Sequence, residues 1–298
     1  MGREIAAEYP VVTEYLERGG EILGFDLKRL CWEGPEEELA KTENTQPAIF
    51  ALSAGLFDVL SGVTGEFTYT AGHSLGEYGA YHAAGYFDFE TGIRAVRTRG
   101  LLMAGADPEE RGTMASIIAL DDETVRAVCE EASAVGLVVP VNYNCPGQVV
   151  ISGAKEAVAR ACEIAEGQGG RIFPLSVSGA FHSPLMEPAA KELETYLREH
   201  LRLRNPGDRV VIANASAEAV PFDRTVDSLV AQLTSPVLWA ASIRNLMSRG
   251  VDTFVEVGPK SVLTGLLKRI DRKVSRYSTD TPRALAETQA LLKTNLAG

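Results

Sequence analysis

The residues best placed to do chemistry fall in one short stretch, Gly72-His73-Ser74-Leu75-Gly76, which fits the pattern G-x-S-x-G. That pattern belongs to a sharp strand-to-helix turn. Backbone segments there approach too closely for side chains, so glycine is favoured at the flanking positions. Such a turn lifts the Ser74 hydroxyl off the sheet and points it at the N-terminus of the next helix. The Leu75 N–H then becomes an oxyanion donor, helped by the helix dipole. A serine nucleophile needs a base, and the chain has four histidines. His73 adjoins the serine, but consecutive residues of such a turn point apart, so it reads as a residue that packs or braces the loop. His82 lies on the following helix, aimed away. His200 sits in Glu199-His200-Leu201-Arg202-Leu203-Arg204, a charged helix end where it is solvated or compensates the dipole. His182 lies in the small-residue loop Ser178-Gly179-Ala180-Phe181-His182-Ser183-Pro184-Leu185-Met186, between a strand and a helix. Alone it reads equally well as a structural histidine; beside the elbow it is the candidate base.

Two groups of elements must position these residues. Residues 3–18 read as a helix, and Asn44-Thr45-Gln46-Pro47 as the start of another that continues to Leu60. Phe67–Ala71 is a β-prone run, and Glu77 to Ala84 reads as a helix, which puts Gly72–Gly76 at a strand-to-helix turn. A different pattern fills residues 113–177. Met114–Leu120 suits a strand, and Asp121-Asp122-Glu123 an acidic helix start. Leu137–Val141 and Gln148–Ser152 suit strands joined by the turn-rich segment Asn142–Gly147. Ala154–Glu166 is a helix and Arg171–Val177 a last strand. The order β-α-β-β-α-β is that of a ferredoxin-like unit. Helix–strand alternation then resumes: Pro188–Leu201, Val226–Leu233 and Leu238–Arg249 read as helices, Val210–Ala213 and Thr253–Val257 as strands. The expectation is a large α/β domain (1–110 and 178–298) interrupted by a small α+β one (111–177).

Composition bounds the class. The chain has 298 residues, 45% of them apolar and 23% charged, as in an average soluble globular protein. That excludes a disordered chain, a collagen-like repeat and a membrane bundle. The net charge of −11 argues against general nucleic-acid binding. Cys31, Cys129, Cys145 and Cys162 form no C-x-x-C pair and lie at no metal-ligand spacing with histidine, so they read as reduced, buried thiols, and no metal is expected. No apolar run approaches a membrane span, MGREIAAEYP is too polar for a signal peptide, and Ala6 stands where myristoylation needs Ser or Thr. A cytoplasmic protein without membrane contact is the expectation.

Taken together, the segments TENTQPA (42–48), GHSLGEYGA (72–80), FDFETGIRAVRTRGLLM (87–103), VNYNCPGQVVISG (141–153), GAFHSPLM (179–186), LTSPVLW (233–239) and FVEVGP (254–259) resemble the malonyl-CoA:acyl carrier protein transacylase family in order and spacing. The match looks closest to the discrete acyltransferases that load polyketide synthases, with the fatty-acid enzyme a near relative. The resemblance implies an α/β-hydrolase-like domain with a ferredoxin-like insertion. It implies that Ser74 attacks the malonyl thioester and that His182 moves the protons, in ping-pong transfer to a phosphopantetheine thiol. It also implies that a backbone carbonyl near Gln232–Ser235 orients His182, with Gln232 the named candidate. By the same resemblance, Arg99 grips the malonyl carboxylate, and His73 and Phe181 line the substrate site, Phe181 as the bulky residue that goes with malonyl. Arg99 also suits the chemistry, because a guanidinium fork pairs bidentately with a carboxylate. Arg94 and Arg97 are expected to be solvated.

Family members begin with a strand and a Gly-Gln-Gly loop whose glutamine is a second oxyanion donor. Met1-Gly2-Arg3-Glu4 aligns just after that loop, so the first strand of the large domain and the glutamine are expected to be absent, through a start site placed at an internal methionine, the favoured reading, or through a natural deletion. No bound cofactor is implied; malonyl-CoA is the substrate and the partner carries the phosphopantetheine. That partner, an acyl carrier protein, is acidic, and Lys260, Lys268, Arg269, Arg272, Lys273 and Arg276, opposed only by Asp271, form the candidate docking stretch. An ordinary amphipathic helix with Leu263, Leu266, Leu267 and Ile270 inward is the plainer reading of Lys260–Arg276. A monomer is expected. Two other functions compete with transfer: hydrolysis of acyl groups from carrier proteins by the same Ser74 and His182, and a catalytically weak carrier-binding module. Arg99 favours transfer, since a hydrolase of uncharged acyl chains gains nothing from a buried guanidinium.

Overall fold

In the computed structural model, which describes residues 1–63, 67–107, 109, 111–177 and 179–296, Pro10 divides the helix expected over residues 3–18. The halves are α1 (Arg3–Glu8) and α2 (Pro10–Leu23). Proline has no N–H to give the preceding turn and disfavours helical geometry at Tyr9, which sits at φ −125°, ψ 86°. At the first position of α2 the missing donor costs nothing. α3 (Leu27–Glu33) and α4 (Glu36–Ala40) follow, then α5 (Thr42–Ser61).

α5 starts at Thr42, ahead of the expected Asn44, and runs through Pro47. Pro47 leaves the Glu43 carbonyl without its helical donor. Arg97 supplies one: its Nη1 donates to Glu43 O at 2.5 Å and to Asn44 Oδ1 at 2.8 Å. The expectation of a solvated Arg97 is therefore wrong; the side chain is half-buried, its guanidinium 4.9 Å from the Phe25 ring centre. Arg94 is exposed and pairs with Glu90.

β1 (Tyr69–Ala71) feeds α6 (Gly76–Ala84), and α7 (Phe89–Gly105) carries the arginines. Next come β2 (Gly112–Ile118), α8 (Asp122–Ala132), β3 (Val138–Cys145), β4 (Gln148–Ala154), α9 (Lys155–Gly167) and β5 (Arg171–Pro174). α10 (Glu187–His200), β6 (Val210–Ile212), α11 (Thr225–Ala231), α12 (Trp239–Ser248), β7 (Thr253–Glu256), α13 (Val262–Ile270), β8 (Ser275–Ser278) and α14 (Pro282–Leu296) complete the order.

The chain forms two compact units. The first comprises Met1–Gly100, His200–Ile212 and Leu246–Gly298; the second comprises Leu101–Glu199 and Ala213–Asn245. The expected boundary residues 110 and 178 lie outside the described residues. In the first unit, β1 pairs in parallel with β6 and β7 in parallel with β8. Leu16, Leu52, Leu56, Tyr81 and Ile93 are among its fully buried side chains.

In the second unit one antiparallel sheet has the order β3-β4-β2-β5. Ile117, Val149 and Ile151 of its strands pack with Val125, Val128, Ala157 and Ala161 of α8 and α9. β3 is longer than expected. Asn142, Tyr143 and Cys145 pair across to Val150, Val149 and Gln148, so the expected six-residue turn shrinks to Pro146-Gly147. Pro140, which cannot donate to a ladder, is tolerated because β3 is an edge strand.

Candidate active site

The elbow is built by steric necessity. A Cβ at Gly72 would fall 1.9 Å from Gly76 O and 2.6 Å from Glu77 N, so β1 can turn into α6 only with glycine there. Gly76 differs from the sequence expectation: a Cβ there meets nothing within 4 Å, and its own carbonyl is what crowds Gly72. Ser74 sits at φ 51°, in the left-handed region that L-residues avoid. The N–H groups of Gly76, Glu77 and Tyr78 are spent on the carbonyls of His73, Ser74 and Leu75. Leu75 caps α6, and its N–H is the next one outward.

Arg99 of α7 comes to this turn from the side. It is only 1% exposed, so its charge needs partners. Nη2 donates to Ser74 Oγ at 3.1 Å, and Nη1 to Gln46 Oε1 at 2.6 Å. The guanidinium lies 5.8 Å from the Tyr78 ring centre. Burial pulls the Arg99 pKa down, while Tyr78 and buried Glu77 act to raise it. Arginine stays charged through such shifts. Burial likewise pushes the Tyr78 hydroxyl up. Sequence reasoning missed Gln46 and Glu77 as site residues. The available signal was a polar side chain inside each of two motifs, TENTQPA and GHSLGEYGA.

The second unit holds His182, 4% exposed and also in the left-handed region at φ 61°. Its Nδ1 lies 2.9 Å from the Gln232 carbonyl oxygen. A carbonyl only accepts, so Nδ1 carries the proton and Nε2 of the neutral ring keeps its lone pair. Gln232 ends α11, and the segment after it is pinned to β3 by Val237 N–H to Val141 O at 2.7 Å and Tyr143 N–H to Val237 O at 3.0 Å. Ser183 closes the loop, its hydroxyl donating to Ala180 O at 2.6 Å. Phe181 is buried in the same loop.

A family model described as "Acyl transferase domain" matches residues 1–285. The chain belongs to this acyl transferase family. The malonyl CoA-acyl carrier protein transacylase of Escherichia coli strain K12 is 42% identical over 289 residues, 96% of this chain and 93% of that protein. The enzyme of the same name from Bacillus subtilis strain 168 is 39% identical, over 96% of this chain and 90% of its own length. Among solved structures, a malonyl-transacylase in complex with its type II PKS acyl-carrier protein superposes with a TM-score of 0.94 at 39% identity, covering 98% of this chain and 94% of that one. The malonyl CoA-acyl carrier protein transacylase of Coxiella burnetii gives 0.94 at 33% identity, over 98% and 93%.

This acyl transferase domain has three other histidines. His73 is half-buried within the elbow. His82 sits among Phe50, Phe87 and Phe89, its Nδ1 donating to Phe87 O at 3.1 Å, and burial lowers its pKa. His200 is exposed at the end of α10. The cysteines are free thiols, with burial raising Cys31 to about 11 and Cys129 to about 12. Among the described residues no three His, Cys, Asp or Glu side chains group as a metal site, and no helix is long and apolar enough to cross a membrane.

The basic stretch 260–276 is not one helix. α13 ends where Asp271 turns extended, and Arg276 lies in β8. Leu266 and Leu267 are buried, Leu263 and Ile270 half-buried. Lys260, Lys268, Arg269, Arg272 and Lys273 are exposed; Arg276 is half-buried and braces its loop by donating to the carbonyls of Asp271, Arg272 and Val274.

Proposed function

We propose that this chain moves malonyl from malonyl-CoA to the phosphopantetheine thiol of an acyl carrier protein, for fatty-acid or polyketide synthesis, through a malonyl ester on Ser74. Ser74 Oγ attacks the thioester carbonyl while His182 Nε2 takes its proton. The Leu75 N–H donates to the oxyanion. The C–S bond breaks, and His182 gives the proton it took from Ser74 to the departing CoA thiolate, which leaves as the thiol and restores the neutral imidazole. In the second half His182 deprotonates the incoming pantetheine thiol. Its sulfur attacks the ester, and Ser74 recovers the proton as the malonyl thioester leaves. Gln232, through its carbonyl, keeps the imidazole in the tautomer this needs. Arg99 takes the malonyl carboxylate, with His73 and Phe181 beside the acyl group.

The observation that carries this reading is the buried guanidinium of Arg99 within 3.1 Å of Ser74 Oγ. A cation held beside a nucleophile suits an acyl group with a carboxylate at its far end. The names of the relatives point to the same substrate and partner. The β-α-β-β-α-β order and the sheet order β3-β4-β2-β5 support a ferredoxin-like reading of residues 111–177. The elbow between β1 and α6 supports a hydrolase-like reading of 1–110 and 178–298. The exposed cations of Lys260–Lys273 are the proposed docking surface for the acidic carrier.

Labelled malonyl-CoA and acetyl-CoA, followed by intact mass, test the proposal. The expected result is a malonyl adduct that is absent in Ser74→Ala, forms slowly in His182→Ala and passes to holo carrier protein. No adduct on folded protein overturns it. Malonate released to water with holo carrier present would instead mark a hydrolase.

A further inference from the structure

We propose that Ser183 is a positioning residue for His182: its hydroxyl closes the loop that presents the imidazole to the Gln232 carbonyl, and it acts on acyl transfer only through that ring. This rests on the reading of His182 as the base given above.

His182 stands at φ 61°, a conformation that an L-residue keeps only where its surroundings over-determine it. Two things place an imidazole: the direction in which Cβ leaves the backbone, and the bond that stops the ring turning. Nδ1 to Gln232 O at 2.9 Å supplies the second. The first falls to Ser183. This side chain is fully buried, and its hydroxyl donates to Ala180 O at 2.6 Å and accepts from Leu185 N–H at 3.3 Å. The donated bond spans Phe181 and His182, so the strained residue lies inside a closed four-residue loop. The accepted bond caps the short helical turn Pro184–Met186 that leads into α10. One hydroxyl thus joins the chain before His182 to the chain after it.

Ala180, at the far end of that bond, is seated in turn on β2. A Cβ at Gly112 would lie 2.6 Å from Ala180 N and 2.9 Å from Ala180 Cβ, so glycine is what lets the loop lie against the strand. Asp107 fixes the backbone at that point, its carboxylate accepting from Arg111 N–H at 3.0 Å and from Gly112 N–H at 2.5 Å. Asp107, Gly112, Ala180 and Ser183 form one series that ends at His182. The Ser183 proton is committed to Ala180 O, which makes the residue a positional part of the site and not a second nucleophile.

The test is a double-mutant cycle on Ser74 acylation by malonyl-CoA, read by rapid-quench intact mass in the parent, Ser183→Ala, His182→Ala and the double variant, with thermal melts of each. Ser183→Ala removes one neutral hydroxyl and adds no bulk, and it should lower the maximum rate of acylation about tenfold. In the His182→Ala background there is no imidazole to place, so the same change should alter the slow residual rate by less than about twofold. Gly112→Ala, which disturbs the loop from the strand side, should show the same dependence on His182, and it decides the question even where Ser183→Ala fails to fold. A parental rate in Ser183→Ala overturns the proposal. So does a fall of equal size with and without His182, which would mark Ser183 as a support of the fold alone. A parental rate in His182→Ala overturns the reading of His182 as base and this proposal with it.

Discussion

Gly72→Ala is the smallest change that should dismantle the elbow. The added methyl carbon would lie 1.9 Å from Gly76 O, 2.0 Å from its carbonyl carbon and 2.6 Å from Glu77 N. Close carbon–oxygen contacts stop at about 3.3 Å, so the overlap is roughly 1.4 Å. All three atoms are backbone, and no side chain can swing aside. Relief requires the first turn of α6 to move off, which breaks Gly76 N–H to His73 O and Glu77 N–H to Ser74 O, now 2.9 and 3.0 Å long. At about 0.5–1.5 kcal/mol each, that is about 1–3 kcal/mol of stability. At about 2–4 °C per kcal/mol for a domain of this size, the melting temperature should fall by roughly 2–12 °C. A displacement of about 1 Å at the nucleophile should slow acylation about 100-fold or more.

The same motif contains its own control. Gly76→Ala adds a methyl that meets nothing within 4 Å, at a helical position where alanine is preferred to glycine by about 0.5–1 kcal/mol. It should melt at or above the parental temperature. Thermal melts and rapid-quench intact mass with malonyl-CoA read both variants. Parental acylation and melting in Gly72→Ala, or equal destabilisation by Gly76→Ala, would refute the steric account of the turn.

Arg99→Lys keeps the charge but loses the fork; forfeiting one charge-assisted bond, about 1.5–3 kcal/mol, should cut malonyl kcat/KM about 10–100-fold. Equal losses with acetyl-CoA would count against a carboxylate clamp. His82, whose folded pKa is depressed by burial, binds its proton more readily unfolded. It therefore contributes stability in full above about pH 6.5 and loses it as pH falls through the folded value. Denaturant titrations across pH 5–7.5 should show this slope in the parent and a flatter one in His82→Gln, and identical slopes would dismiss His82 as its source. Replacing Lys268 and Arg269 together by glutamate should raise KM for carrier protein about tenfold at low salt, more than KM for malonyl-CoA. A carrier KM that does not move would place docking elsewhere.

Sequence patterns exposed what is local and concealed what is tertiary. The elbow is written in five consecutive residues, with a β-prone run before and a helical run after. The strands of residues 112–174 follow apolar runs and are readable to within a few residues. Thr42 to Pro47 went the other way. Proline inside a helical run reads as a boundary because it strands a carbonyl. Here the stranded carbonyl of Glu43 is answered by Arg97, 54 residues on. The two misreadings, a late start for α5 and a solvated Arg97, are one interaction seen from both ends. Gln46 was passed over for the same reason: its partner Arg99 lies 53 residues away.

Ser74 and His182 share a backbone feature that their separate sequence contexts do not suggest. Both lie at positive φ, 51° and 61°, where a Cβ costs roughly 1–2 kcal/mol. Positive φ alone marks nothing functional, since Ala119 and Ala217 show it as well. Ala119 N–H extends the β2–β4 ladder to Gly147 O, Ala217 N–H closes a turn on Ala213 O, and alanine carries no reactive atom. In the proposed mechanism Ser74 and His182 differ in that the turn sets the direction of a reacting side chain, and each turn is held by hydrogen bonds or close contacts. For Ser74 these are its own carbonyl to Glu77 N–H and the Gly72–Gly76 contact; for His182 they are Nδ1 to Gln232 O and Ser183 Oγ to Ala180 O. Glycine at either position would relieve the strain and remove the chemistry. On the proposed mechanism, strain at these two residues is the consequence of presenting an oxygen and a nitrogen in directions that a relaxed chain does not offer.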